Sequence, residues 1–161
     1  MLETERLHLR PVERADLDPW AAFLADSGAT RLLHFPKPHS REESNALLER
    51  TIARAHGAVA MYAVRLREAG DTVGFVGYSP RVVDSSPELE LGWSLLPQFH
   101  GRGYATEAAL AVRRLVPGRA IALIRVENEA SKNVARKVGM TLERELEFAG
   151  FRTGVFASPS P

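Results

Sequence analysis

Apolar positions along the chain follow two rhythms, every second residue in some stretches and every third or fourth in others. Leu7-His8-Leu9-Arg10 alternates and stops at Pro11, which predicts a short first strand. Across 13–25, Leu17, Trp20, Ala21 and Leu24 sit at helical spacing, with Asp16 placed to cap. The stretch 26–40 reads as a loop, because Gly28, Pro36 and Pro38 break regular structure while Leu32, Leu33 and Phe35 keep it apolar. Ser40 followed three residues later by Glu43 is a capping-box pattern. It opens a second helix running through Leu47, Leu48, Thr51 and Ile52 to about His56, ended by Gly57.

Three strand-like runs follow at 58–66, 72–79 and 88–96, separated by turn-rich pieces at 68–71 and 80–87, and predict an antiparallel meander. A helix is expected over 103–115, a strand over 120–127 and a helix over 130–138 closed by Gly139. The runs 141–148 and 151–157 flank Ala149-Gly150 and read as a terminal hairpin. The order βαα, βββ, α, β, α, ββ predicts an α/β fold, a mixed sheet with helices on its faces. The strand–helix–strand unit within 88–127 should be a right-handed crossover between parallel strands. With no repeat and no linker, 1–157 is expected to form a single domain and 158–161 a frayed tail.

Composition narrows the function classes. The 161 residues are enough for one domain with a real core, and 45% hydrophobic with 25% charged residues is ordinary for a soluble globular protein. A net charge of +1 gives no footprint for nucleic acid or an anionic membrane, so neither is expected as a partner. The absence of cysteine excludes disulfides, thiolate metal sites and a cysteine nucleophile, and it suits a reducing cytoplasm. The opening MLETERLHLRP has no apolar signal-peptide core, and no apolar run reaches the roughly 18 residues of a membrane span. A cytoplasmic location is therefore expected. His8, His34, His39, His56 and His100 show no metal-ligand spacing, so no metal is expected.

The chemistry concentrates where a strand runs through a glycine turn, His100-Gly101-Arg102-Gly103-Tyr104-Ala105, into a helix. There the first helical N–H groups are unpaired and the helix dipole favours an anion, so phosphate is a natural guest. Gly101 and Gly103 let backbone approach it, and Arg102 is placed to add charge. Neither the Walker pattern nor the dinucleotide fingerprint is met, so read locally the turn is either a cap or a phosphate cradle. In the preceding strand, alternation puts Glu88, Glu90 and Gly92 on one face and Leu89, Leu91 and Trp93 on the other. If the apolar set faces the core, Glu90 looks into a cleft, where burial can raise its pKa and suit it to act as a base; a solvated polar face is the other reading.

The run ELGWSLLPQFHGRGYATEA resembles the coenzyme-A motif of the GNAT acetyltransferase superfamily, specifically its RimJ/RimL-like branch. That motif is Arg or Gln, two residues, Gly, one residue, then Gly or Ala, and His100, Gly103 and Ala105 hold those places here. ENEASKNVARKVGM, with Asn128 and Ser131, resembles the second motif, and the element order is similar from ETERLHLRP to the final hairpin. His100 departs from the usual Arg or Gln, and Ala135 stands where many members carry a tyrosine acid.

The resemblance implies a GNAT-like fold with a mostly antiparallel sheet and one parallel crossover at the coenzyme site. It implies an acetyl-CoA-dependent N-acetyltransferase acting on a primary amine, such as a protein N-terminus or a small molecule, by direct attack in a ternary complex. It also implies that the backbone near Leu95, the turn from His100 to Ala105, and Asn128 hold acetyl-CoA, with Ser131 beside the sulfur. Leu33, His34 and Phe35 would line the acceptor pocket, and a homodimer would be in keeping with relatives. The alternative is a non-catalytic coenzyme-A sensor or regulatory module.

Overall fold

The computed structural model describes residues 1–158. Eight strands, β1 (Leu2–Glu3), β2 (Leu7–Pro11), β3 (Ala60–Leu66), β4 (Thr72–Val83), β5 (Ser86–Leu95), β6 (Ile121–Arg125), β7 (Thr141–Phe148) and β8 (Phe151–Ala157), form one sheet. Its order is β1-β2-β3-β4-β5-β6-β8-β7. All neighbours run antiparallel except β5 and β6, which are parallel and share a single registered pair, Glu90 opposite Ile121. The helices are α1 (Leu17–Ala25), α2 (Ser27–Thr30), α3 (Arg41–Arg54), α4 (Tyr104–Arg113) and α5 (Glu129–Lys137). This is the mostly antiparallel mixed sheet with one parallel crossover that the sequence predicts. Among the described residues no helix is long and apolar enough to cross a membrane.

Strand alternation sorts the core into two layers. Leu7, Leu9, Val64, Val76 and Leu91 face α4 and α5, which contribute Ala108, Ala109, Val112 and Ala135. Ala63 and Phe75 point to the opposite face and pack with Trp20, Phe23 and Leu24 of α1 and Leu48 of α3. A third cluster, Val83, Ile121, Leu123 and Val155 with Leu146 and Phe148, fills the hollow between the β4–β5 hairpin and β7–β8. Arg119 ties that hollow shut by pairing with both Glu88 and Glu143.

Several boundaries differ from expectation for identifiable reasons. The piece 80–87, expected as a turn, is mostly strand, because the reversal needs only Asp84 and Ser85 at φ 48° and 64°. Both are short polar residues that tolerate this left-handed region. Pro80 is harmless in β4. It lies opposite Leu89 in a pair whose missing N–H points away from β5, and β3 ends opposite Tyr78. The helix expected over 13–25 begins as a 3-10 turn, Arg14–Asp16. Asp16 does not cap α1 through its side chain; its buried carboxylate binds the Arg10 guanidinium at 2.8 Å and accepts from the Glu13 N–H at 2.9 Å.

Within the expected loop 26–40, the Asp26 carboxylate accepts from the Ala29 N–H at 2.8 Å and so caps the short α2. The capping box at Ser40 and Glu43 is present in both directions. The tail expected to fray at 158–161 is anchored at its first residue. Ser158 is buried, its N–H donates to the Ala120 carbonyl at 2.9 Å, and its hydroxyl oxygen accepts from Arg113. The rest of that tail lies outside the described residues.

Candidate active site

Past the single pair at Glu90 and Ile121, β5 and β6 part and the sheet opens. The Leu96 N–H donates to the Val73 carbonyl on the β4 side. By alternation, Trp93 and Leu95 turn their backbone N–H and carbonyl groups toward the gap. The chain then makes a 3-10 turn (Pro97–Phe99) and enters the glycine turn. Gly101 and Gly103 adopt φ 76° and 82°, the left-handed region, with Gly103 at the N-cap of α4. A Cβ on Gly101 would meet nothing within 4 Å, so the turn is open to a guest.

The turn is braced from behind. Arg6 Nη1 donates to the Arg102 carbonyl at 3.0 Å, Arg6 Nε donates to Glu107 Oε2 at 2.7 Å, and the guanidinium lies 4.7 Å from the Tyr104 ring centroid. The Thr4 hydroxyl and the Arg6 N–H both donate to Glu107 Oε1. Burial alone would lift the Glu107 carboxyl, but the hydrogen bonds from Thr4 and Arg6 outweigh it and hold the group below the usual range.

Two cavities meet at the split. One, of about 450 Å³, runs along His100, Gly101, Gly103 and Ala105 and is flanked by Leu95, Val134 and Lys137. The other, of about 300 Å³, lies toward α1 and α3 and is walled by Trp20, Phe23, Leu47, Met61 and Phe75, with Glu90 and His34 beside them. Trp93, Ser94, Asn128 and Ser131 line both. Asn128 caps α5, its Oδ1 accepting from the Ser131 N–H at 3.1 Å, which leaves its Nδ2 donors uncommitted among the described residues.

Among the described residues, Glu90 is the one carboxylate lining the smaller cavity. Its side chain is 16% exposed, and Oε2 accepts from Arg81 Nε at 2.7 Å. Burial pushes its carboxyl up, against the opposing pull of Arg81. His34 reaches across to β8, Nε2 lying 3.0 Å from the Thr153 hydroxyl oxygen, and its ring meets Phe148 edge-on. The Thr153 hydroxyl donates its one proton to the Phe151 carbonyl, so His34 Nε2 must be the donor to Thr153. Burial, then Arg125 and Arg81, keep His34 below the usual histidine range. Arg125 pins the loop above the cleft, donating to the carbonyls of Arg31 and Leu33 while pairing with Glu127 and stacking on Phe151.

The Acetyltransferase (GNAT) domain family matches residues 6–141. The chain belongs to the GNAT acetyltransferase family. It is thereby an acyltransferase that draws on acetyl-CoA. Among solved structures, an acetyltransferase from Agrobacterium tumefaciens str. C58 is 28% identical, with 97% of this chain and 92% of that one covered at a TM-score of 0.80. RimL, a ribosomal L7/L12 α-N-protein acetyltransferase solved with coenzyme A, is 20% identical, with 98% and 96% covered at a TM-score of 0.82. The uncharacterised protein YkkB of Bacillus subtilis is 31% identical over 87 residues, so the chain spans about half of that relative, 51% of each being covered.

Set on this GNAT frame, Leu95, His100, Gly101, Gly103, Ala105 and Asn128 gather along the larger cavity, and Glu90, Leu33 and His34 along the smaller one. Ser131 stands at the junction. Three residues expected in the site are placed otherwise. The Arg102 side chain lies over Phe99 rather than in the cavity, Tyr104 packs beneath Arg6, and Phe35 is 71% exposed. Glu88 is held by Arg119, away from both cavities. The His100 ring nitrogen Nε2 lies 3.0 Å from the Leu95 carbonyl oxygen, so this unusual residue engages the strand it follows. Ala135 is fully buried in the core. Sequence reasoning passed over Arg81, Arg125 and Thr153. Arg81 lay in the supposed turn, and the other two act through partners far along the chain.

Proposed function

We propose that this protein, acting in the cytoplasm, transfers the acetyl group of acetyl-CoA to a primary amine by direct attack within a ternary complex. The observation that carries the reading is the meeting of two cavities at the sheet split, a phosphate-type glycine turn in one and a buried carboxylate in the other. A binding module that only sensed the coenzyme would have no use for the second cavity and its carboxylate.

In this reading the backbone of residues 100–105 holds the pyrophosphate through the positive end of α4. Leu95 offers its free N–H to the pantetheine arm as a strand would. The Asn128 amide nitrogen faces the coenzyme while its oxygen serves the cap. Glu90, directly or through a water, takes a proton from the ammonium, and burial, by raising its pKa, makes it a stronger base than an ordinary glutamate. The amine nitrogen then bonds to the acetyl carbon and the carbon–sulfur bond breaks. The nitrogen's second proton passes by way of the Ser131 hydroxyl to the departing sulfur. Leu33 and His34 contact the acceptor.

Thiol release from acetyl-CoA across a panel of primary amines tests the reading, and amine-dependent release is expected. Tight acetyl-CoA binding with no turnover on any amine would leave a binding module instead. Gly103→Glu forces a side chain onto φ 82° with its Cβ 3.3 Å from Arg6 Nη2, the guanidinium that braces the turn, and by distorting the turn should weaken acetyl-CoA binding by at least about tenfold in calorimetry, ~1.4 kcal/mol. Unchanged affinity would remove the turn from the coenzyme site.

A further inference from the structure

The wall of the smaller cavity carries information about the acceptor. Trp20, Phe23, Phe75 and Trp93 supply four aromatic faces, and Leu47 and Met61 continue the apolar lining. Trp20 and Phe75 meet edge to face at 4.7 Å, so this part of the wall is packed and preformed. Against it stands one lining carboxylate, Glu90, already paired with Arg81. The other nearby acids are committed elsewhere, Glu127 to Arg125 and Glu88 to Arg119. His34 brings no negative charge, and burial with the nearby Arg125 and Arg81 disfavours its cationic form. Among the described residues, then, the cavity offers one ammonium the Glu90 oxygen Oε1, which Arg81 does not engage, and nothing to neutralise a second. A buried unpaired cation is costly, and an apolar wall compensates none of that cost.

We infer that the acceptor is a primary monoamine carried on an apolar body no larger than a single aromatic or branched aliphatic group, and that polycationic amines are discriminated against. This rests on the acetyl-transfer reading above and adds the acceptor's chemical class. The volume fits: about 300 Å³ is at the small end of ligand cavities, and part of it adjoins the acetyl position at Trp93, Ser94 and Ser131.

The cleanest probe is a pair of amines differing only in the second cation, pentylamine and 1,5-diaminopentane, with 2-phenylethylamine as the ring-bearing case. Both kcat/KM in the thiol-release assay and affinity for the coenzyme A complex by calorimetry should favour pentylamine over the diamine by at least tenfold, with 2-phenylethylamine accepted. Equal or reversed preference, or binding of neither, overturns the inference. Preferential monoamine binding without turnover supports it while sinking the transfer reading, so the two fail separately. Leu47→Glu adds a second acid from the half-buried face of α3 and should shrink the preference at least threefold through better use of the diamine. Met61→Glu repeats the test from β3 should the first variant not fold, and a preference unmoved in a folded variant counts against the inference.

Discussion

Burial and Arg81 pull the Glu90 carboxyl in opposite directions, and burial wins. Its folded pKa stands above the ordinary glutamate value. Its contribution to stability is therefore full below that ordinary value and is lost as pH rises through the raised one. Glu90→Gln removes the burden of a buried charge, and Arg81, 41% exposed, can be solvated once its partner is gone. The variant's melting temperature relative to wild type should thus be more favourable at pH 8 than at pH 4. Turnover should fall by about 10²-fold, and the acidic limb of the kcat/KM profile should vanish. An unaltered pH profile would take Glu90 out of the reaction. At this scale the sequence showed Glu90 through strand alternation but not Arg81. That pairing is diagonal, Ser79 being the residue opposite Glu90, and it depends on β4 continuing past the point where Pro80 suggested a stop.

Among the elements, the turn before α4 is shaped by a segment almost a hundred residues earlier. The bend between β1 and β2 delivers Thr4 and Arg6 to Glu107, and Arg6 also holds the Arg102 carbonyl. Arg6→Ala should loosen the turn without touching the acceptor cavity. The expected result is a KM for acetyl-CoA raised several-fold with kcat little changed, and a stability loss of about 1 kcal/mol, modest because Arg6 is 45% exposed. A fall in kcat at constant KM would show that the brace serves something else. Elements with local signals were legible in the sequence: the capping box at Ser40 and the hairpin around Ala149-Gly150 needed only neighbours to define them. The β1–β2 brace and the Arg125 strap over residues 31–33 were not, because each joins residues more than ninety positions apart.

The whole sheet relies on close approach at its centre. A Cβ on Gly77 would sit 2.2 Å from the Ala60 carbonyl oxygen, which no real Cβ tolerates, so β3 and β4 would have to part. Gly77→Val should lower the unfolding free energy by about 2–3 kcal/mol in a urea titration, while a neutral result would mean that the strands separate at no cost. The same sheet is joined far more weakly at its other seam, where one registered pair links β5 to β6. The molecule is in effect two half-sheets sharing a core beneath α4 and α5, with a short stretch of strand edge left bare inside it. In amide hydrogen exchange, Trp93 and Leu95 should exchange quickly in the free protein and slowly once acetyl-CoA is present, while Ser94 and Leu96, turned toward β4, stay slow in both. A bare edge accepts any extended chain that reaches it, so cellular acetyl-CoA would act as a splint as well as a reactant. Starvation for the coenzyme would then expose the protein to misassembly at the same moment that it idles.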